Sequence, residues 1–289
     1  MNPFDLRGPE FLMFYLAFAT GVIVFAAYFR RIKEAGPAPK MDLDPYTIAY
    51  LRGGKNEAVR VAMVSLIDRG LLTAAASKVV RAPHANPASV RQPIEKNLLA
   101  TFAVAREAPD VFKDTSLDSV CHPYEIALAE HDLVPGPSVK AARRTVFFTA
   151  VALLIGVGGI KLAVALARGR TNVGILIFLV IIATIVAWVV CFPRVTARGK
   201  AMLEDLRTLY SGLKWRVSEI KQGGATFDVV MVAAVFGLAV LPATTFGYVR
   251  TLFPRVTTNS SSSSCGSSCG SSCGSSCGGG GGGCGGCGS

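Results

Sequence analysis

Charged residues are scarce in this chain of 289 residues. Asp, Glu, Lys and Arg together make up 17% of the sequence, whereas hydrophobic residues make up 51%. The mean hydropathy is +0.44, even though the Ser- and Gly-rich C-terminus dilutes that average. This composition excludes an ordinary soluble protein of this size and predicts long apolar segments elsewhere in the chain.

Residues that commonly carry catalysis are also few. There are three histidines, His84, His122 and His131, and the sequence contains no H-E-x-x-H or G-x-S-x-G motif. The glycines of Arg52-Gly-Gly-Lys55 lack the spacing of a phosphate-binding loop. Cys121-His122 has no evident partner for a metal site, so we interpret this pair as structural. No residue is a candidate for catalysis, and we predict a protein that is not an enzyme.

Three apolar runs predict membrane-spanning helices. Residues 11–29 carry no charge, and a helix of that length reaches about 28 Å, close to the ~30 Å hydrocarbon core of a bilayer. Basic residues follow this run and do not precede it, which favours a retained anchor over a cleaved signal peptide. Runs at 145–167 and 171–192 are separated by a short turn and predict an antiparallel helix pair. The predicted fold class is mainly α, a polytopic helical membrane protein.

Two residues of these runs have alternative interpretations. Lys161 lies in the second run, where a lysine either extends its side chain to the interface or is a buried functional charge. We favour the first, because no carboxylate within the three runs is available to pair with it. We interpret Cys191, at the end of the third run, as a small apolar packing residue.

The distribution of basic residues predicts the orientation of the chain. The net charge is +11, and this excess indicates an anionic partner such as a membrane surface. Basic residues crowd the segments after the first run, before the second and after the third, eleven against three on the opposite side. Because basic segments stay inside, residues 30–144 and the segment from 193 onward are predicted to be cytoplasmic, with residues 1–10 outside.

Residues 30–144 are long enough for a small domain of their own. Asp44-Pro45 is typical of a helix start and Gly53-Gly54 of its end, and a second helix with one apolar stripe runs towards Gly70. A short hairpin follows, with Val79-Val80 in its return strand. This order of elements predicts a winged-helix-like domain. The outward face of the second helix mixes acidic and basic residues, so we expect contact with a protein and do not expect nucleic-acid binding.

Two further segments follow the third run. Residues 193–226 predict an amphipathic cytoplasmic helix that packs either on the bilayer surface or on protein. Residues 227–249 predict a short apolar helix that begins near Asp228 and ends before Pro242. At about 21 Å this helix is short for a membrane span. We favour a buried or interfacial helix, and the alternative is a fourth crossing.

One stretch of the chain carries a family resemblance. The sequence DPYTIAYLRGGKNEAVRVAMVSLIDRGLL, followed by a membrane hairpin and a Gly- and Cys-rich tail, resembles a family of bacterial multi-pass membrane proteins of uncharacterised function. Its most specific parts are AYLRGG at 49–54 and RGLL at 69–72. The resemblance covers most of the chain, implies a bacterial membrane protein and implies no catalytic residue. The serine-rich first half of the tail differs from the more uniform Gly/Cys tails of that family.

Residues 256–289 form a tail of mostly Ser, Gly and Cys, which predicts a disordered segment. Four of its cysteines recur every four residues and the last two form a C-x-x-C pair: Cys265, Cys269, Cys273, Cys277, Cys284 and Cys287. In a reducing cytosol these thiols suit a soft metal such as zinc or copper, whereas outside the cell they would form disulfides. A third interpretation, which we favour, is a low-complexity repeat without selected chemistry.

These features predict two functions of different classes. The first is a non-enzymatic scaffold that presents a cytoplasmic protein-interaction domain at the inner membrane face. Its partners would be the lipid bilayer and an unknown cytoplasmic or membrane protein. The alternative is handling of soft metals (Zn or Cu), or thiol chemistry, through the six tail cysteines. No other cofactor is expected.

Overall fold

The structure is a computed structural model of the chain. It describes residues 8–36, 39, 44–75, 77–167, 174–216, 223–224 and 226–254. The predicted tail at 256–289 lies outside the described residues, and so do residues 1–7 of the predicted external N-terminus. In chain order the elements are α1 (Gly8–Glu34), α2 (Pro45–Gly53), α3 (Lys55–Asp68), β1 (Leu72–Ala75), β2 (Lys78–Arg81), α4 (Pro93–Thr101), β3 (Arg106–Glu107), α5 (Ser116–Glu130), α6 (Pro137–Ala167), α7 (Gly174–Cys191), α8 (Ala197–Leu209), α9 (Ser211–Arg216), α10 (Thr226–Phe236) and α11 (Gly247–Leu252).

Three helices, α1, α6 and α7, form an apolar bundle, and each is long and apolar enough to cross a membrane. Their inner faces bury Phe11, Tyr15 and Leu154, and the Tyr15 hydroxyl donates to the carbonyl oxygen of Leu154 at 3.0 Å. Large apolar side chains cover the outer faces as well, with Phe25 68% and Trp188 59% exposed. Such a surface is unfavourable in water and is covered by lipid in a bilayer. The bundle therefore has the length and the apolar surface that a helical membrane protein requires.

Two of the bundle helices, α1 and α6, are longer than the apolar runs that predict them. The helix α1 has 27 residues and α6 has 31, which correspond to about 40 Å and 46 Å at 1.5 Å per residue. Most of the additional residues lie at the end where α1 finishes and α6 begins, and they include charged side chains such as Glu34 and Arg143. This end of the bundle faces the rest of the protein.

The other elements form a helical domain with one continuous core. The core contains side chains from α2 to α5, from the β1–β2 hairpin, and from α8, α10 and α11. The predicted domain boundary at 30–144 includes only part of this core, because residues 197–253, which follow the third bundle helix, complete it. Two distant chain segments thus build one domain on the same side of the bundle.

The short apolar helix α10 lies at the centre of this core, against α2 and α3. All residues from Val229 to Val235 are at most 4% exposed. A helix that is apolar on every side must be enclosed by protein or lipid, and α10 has only 11 residues, too few to cross a bilayer. It ends at Phe236, earlier than Pro242 indicates, because Gly237 follows with φ 99°. Residues 229–235 of this segment are therefore buried in the domain.

The hairpin of β1 and β2 is antiparallel and pairs Leu72 with Arg81. A third strand, β3, pairs Val79 with Arg106 on the other edge of β2. The sequence does not predict β3, because two residues are too short to show the alternation of a strand.

The predicted amphipathic helix at 193–226 is divided into α8 and α9 by a turn at Tyr210. Ser211 and Gly212, which follow that turn, are weak helix formers. The helix α8 buries Met202 and Leu206 against the domain. The sequence left two alternatives for this apolar face, the bilayer surface or protein. The face of α8 packs on protein.

The position of α10 can be tested by adding volume to it. Substitution of Ala233, which is fully buried, by leucine is expected to lower the free energy of unfolding by about 1–3 kcal/mol through overpacking. Ala17→Leu adds the same atoms to an exposed position of α1 and serves as the control. Thermal unfolding of the purified variants in detergent gives the comparison. Equal midpoints for the two variants would contradict the enclosed position of α10.

Candidate functional site

The AYLRGG motif occupies most of α2, and both ends of this helix are capped. Asp44 Oδ2 accepts a hydrogen bond from the backbone nitrogen of Tyr46 at 3.3 Å, and Pro45 occupies the first helical position. At the other end Gly54 has φ 79°, a conformation that glycine adopts easily. The first cap directs Tyr46 into the domain, beside the carboxylate of Glu95.

The same motif contacts two other parts of the domain. A Cβ atom at Gly54 would clash with the guanidinium group of Arg194, which follows α7. Arg194 donates from Nη2 to the carbonyl oxygen of Tyr50 at 3.0 Å and lies 5.7 Å from the centre of the Tyr50 ring. Arg52 forms an ion pair with Glu57 at the start of α3. The motif is therefore a packing junction between α2, α3 and the chain that leaves the bundle.

A buried carboxylate connects three helices of the domain. Glu95 on α4 is 3% exposed and accepts hydrogen bonds from the hydroxyls of Tyr46 and Ser65, the latter at 3.0 Å. Arg69, the first residue of the RGLL motif, donates from Nη1 to both oxygens of Glu95 at 3.1 and 3.0 Å. A buried charge is stable only with partners of this kind. The network fixes α2, α3 and α4 relative to one another.

The Glu95 network lines a cleft of about 470 Å³. The cleft lies where the N-terminal ends of α2, α4 and α10 meet, and these ends contribute Pro45, Gln92 and Thr226. Its size falls within the range of about 300–1,000 Å³ typical of ligand sites. Phe227, which is 65% exposed, adds an apolar side chain to the lining. Charged, polar and apolar side chains thus share one concave surface of the domain.

The cleft has more free donors than free acceptors. Asp44 accepts from Tyr46 and also from Nε2 of Gln92 at 3.2 Å, and both oxygens of Glu95 have donors. Arg91 lines the cleft, is exposed, and has no ion-pair partner within the part of the chain that the structure describes. The cleft therefore suits a ligand that brings acceptors, above all a carboxylate.

Burial changes the acid–base behaviour of two groups in the cleft. Burial raises the pKa of Asp44, the backbone hydrogen bond from Tyr46 opposes that rise, and the charge of Glu95 adds to it. Burial and the same Glu95 charge raise the pKa of the Tyr46 hydroxyl, which stays a donor at neutral pH. A raised carboxyl pKa means that the folded protein binds the proton more tightly than the unfolded chain. Ionisation of Asp44 therefore reduces stability as the pH rises through its folded pKa.

A second polar cluster joins the helical domain to the apolar bundle. Glu34 at the end of α1 and Arg143 of α6 form an ion pair with 2.7 Å between Oε1 and Nε, and their side chains are 5% and 3% exposed. The other oxygen of Glu34 accepts from the backbone nitrogen of Ala197 at 3.1 Å. Arg143 also donates from Nη1 to the carbonyl oxygen of Pro193. One ion pair thus holds α1, α6 and the link from α7 to α8, and it fixes the domain against the bundle.

The residues predicted to bind soft metals belong to the C-terminal tail. All six lie outside the described residues: Cys265, Cys269, Cys273, Cys277, Cys284 and Cys287. Within the described ranges, no group of three or more His, Cys, Asp and Glu side chains is arranged to hold a metal ion.

The structure shows what surrounds Cys121, Cys191 and Lys161, which the sequence analysis singled out. Burial raises the pKa of the Cys121 thiol to about 11, so this group is a protonated thiol at neutral pH, while the neighbouring His122 is exposed. Cys191 is buried at the end of α7. Lys161 is 9% exposed, and its Nζ lies 4.6 Å from the centre of the Phe11 ring. The two cysteines are packing residues, and Lys161 contacts an aromatic ring near the far end of the bundle.

Sequence reasoning did not single out Glu95, Glu34 or Arg143. A signal for Glu95 exists, because Leu98 and Leu99 follow it at i+3 and i+4 and place it on the apolar face of α4. No comparable signal exists for the other two, which look like ordinary interfacial charges at the ends of membrane runs.

Comparisons of this chain with protein-family models, with curated proteins and with solved structures give no match. The resemblance of the AYLRGG and RGLL segments to bacterial multi-pass membrane proteins therefore stays a prediction. The cleft and the junction are the observations that bear on function.

Proposed function

We propose that the protein is a non-enzymatic scaffold that holds its helical domain at the inner face of a cell membrane and binds an acidic segment of another protein. The observation that carries this proposal is the cleft of about 470 Å³, which is lined by Arg69 and by the exposed Arg91. Arg91 and Arg69 would bind carboxylates of the partner. Phe227 would provide the apolar contact that such interfaces need.

The junction between bundle and domain supports the scaffold part of the proposal. The buried pair of Glu34 and Arg143 ties the ends of the membrane helices to the first residues of α8. A domain on a flexible linker would sample many orientations, whereas a domain fixed by buried contacts presents its cleft in one direction relative to the bilayer. A fixed direction favours a partner that is itself at the membrane.

We infer from the basic residues beside the bundle that the helical domain lies at the inner face of the membrane. Arg30, Arg31 and Lys33 follow the apolar part of α1, on the side of the domain, and segments rich in Lys and Arg stay in the cytoplasm. Under the same rule the N-terminus would lie outside.

The surface of α3 favours a protein partner over nucleic acid. In this domain α3 is followed directly by the β1–β2 hairpin, the order of a winged-helix-like fold. The basic residues of α3 are already paired, Lys55 with Asp118 and Arg60 with Glu57. A helix that reads nucleic acid needs unpaired basic groups for phosphates, so the cleft is the better candidate for recognition.

Peptide binding tests the proposed partner. The full-length protein in lipid nanodiscs would be titrated with fluorescent peptides that share one aromatic residue and are acidic, neutral or basic. We expect binding of the acidic peptide, measured by fluorescence polarisation, and about tenfold weaker binding by Arg91→Gln, since a hydrogen bond to a charged group contributes about 1.5–3 kcal/mol.

The matched control is Lys96→Gln, which removes one exposed charge of α4 outside the cleft and should leave binding unchanged. Equal binding of the basic peptide, or equal weakening by the two variants, would rule out the cleft as an acidic-segment site. The soft-metal alternative depends on the six tail cysteines and stays a prediction. If it is correct, the purified protein contains Zn or Cu, and this metal is lost when all six tail cysteines are replaced by serine.

A further inference from the structure

A small cavity lies between α1 and α6 at the domain end of the bundle. Its volume is about 50 Å³, and its polar lining comes from Arg30, Lys33, Glu34 and Arg143, with apolar side chains of α6 on the remaining side. Space of this kind holds one water molecule per about 10–15 Å³. The cavity therefore has room for a group of several heavy atoms, such as a phosphate.

The cavity has unsatisfied positive charge. Three cations and one carboxylate line it, and that carboxylate, Glu34, is already occupied by Arg143 and by the backbone of Ala197. Arg143 is 3% exposed, yet its Nη2 has no hydrogen-bond partner, and the same is true of Nε of Arg30. Buried donors without acceptors cost free energy, so these nitrogens favour an anionic ligand with several acceptor oxygens.

The depth of the cavity indicates where such a ligand comes from. The uncharged run of α1 ends at Phe29 and that of α6 begins at Thr145, so Arg30 and Arg143 lie where both helices leave the hydrocarbon core. Lipid phosphates occupy this level of a bilayer. Val146, on the apolar side of the cavity, lies at the level where acyl chains begin. A lipid whose headgroup occupies the cavity would therefore place its acyl chains against the outer face of the bundle.

We propose that this cavity is a binding site for the phosphate of an anionic phospholipid, held by Arg30, Lys33 and the unpartnered nitrogen of Arg143. Basic pockets between membrane helices are a known form of headgroup site. The bound phosphate would supply the missing acceptors beside the Glu34–Arg143 pair, and it would therefore stabilise the junction between bundle and domain. The site is separate from the cleft and does not depend on the proposed partner.

The test uses the full-length protein in phosphatidylcholine nanodiscs with and without phosphatidylglycerol. Native mass spectrometry after release into detergent counts the lipids that stay bound, and thermal unfolding reports the stability of the junction. We expect wild type to retain phosphatidylglycerol and to unfold at a higher temperature when it is present. Arg30→Gln and Lys33→Gln should each weaken retention about fivefold, the effect expected for one basic residue at an anionic bilayer surface.

Neither residue belongs to the Glu34–Arg143 pair, so both variants should fold. Arg31→Gln is the matched control, since it removes the adjacent charge of α1, which is exposed and does not line the cavity. The same loss of retention for Arg31→Gln as for Arg30→Gln would overturn the site in favour of general surface attraction. Inorganic phosphate is the second probe. If it displaced the lipid at millimolar concentration, free phosphate would be the ligand and the lipid assignment would be wrong.

Discussion

Arg143→Met is expected to lower the free energy of unfolding by about 3–5 kcal/mol, because removing one partner of a buried ion pair leaves the other charge uncompensated. The carboxylate that remains is Glu34, whose side chain is 5% exposed. Within the described residues, its one other donor is the backbone nitrogen of Ala197. The double variant Glu34→Gln/Arg143→Met removes both charges and should be more stable than Arg143→Met alone.

Thermal unfolding in detergent, run as a double-mutant cycle, measures this coupling. Arg144→Met is the control, because residue 144 carries the same charge one position along α6 but is exposed. We expect the loss of stability to be accompanied by faster proteolysis of the link from α7 to α8. Additive effects of the two single substitutions would show that the pair does not hold the domain against the bundle.

Glu95→Ala is expected to lower the free energy of unfolding of the helical domain by about 3 kcal/mol. The substitution leaves the buried hydroxyls of Tyr46 and Ser65 without an acceptor, at about 1–3 kcal/mol for each unsatisfied group. Arg69 contributes less, because its side chain is 35% exposed and can turn to water. Urea denaturation of the purified protein, monitored by far-UV circular dichroism, measures this change in the free energy of unfolding.

Two variants define the interpretation of that result. Glu95→Gln keeps one acceptor and should be intermediate in stability. Glu130→Ala removes an exposed carboxylate at the end of α5 and should have little effect. If Glu95→Ala and Glu130→Ala unfolded at the same urea concentration, the network around Glu95 would not be a structural element of the domain.

Local features of the fold were predictable from sequence. Asp44 and Pro45 start α2 and Gly54 ends it, as their cap preferences indicate. The hairpin around Val79 also forms where the sequence places it. These elements depend on neighbouring residues, so a short window of sequence contains the necessary information.

The candidate sites were predictable only in part. Glu95 lies on an apolar helix face, which marks it as a buried charge, but its partners are 26 to 49 residues away. Glu34 and Arg143 are 109 residues apart, and nothing local to either residue indicates the other. Nothing in the sequence distinguishes Arg91 from other exposed arginines. Only the fold brings Thr226 and Phe227 of α10 into the same cleft as Arg91.

The sequence by itself determined that the chain contains three helices long and apolar enough to span a membrane, because a bilayer requires long uninterrupted apolar runs and such runs can be counted. Only the tertiary structure decided that residues 197–253 complete the domain begun before the second span, and that α10 is its central helix. The physical reason is that an apolar segment gains free energy from burial in protein or in lipid alike. The choice between them depends on whether distant segments can enclose it.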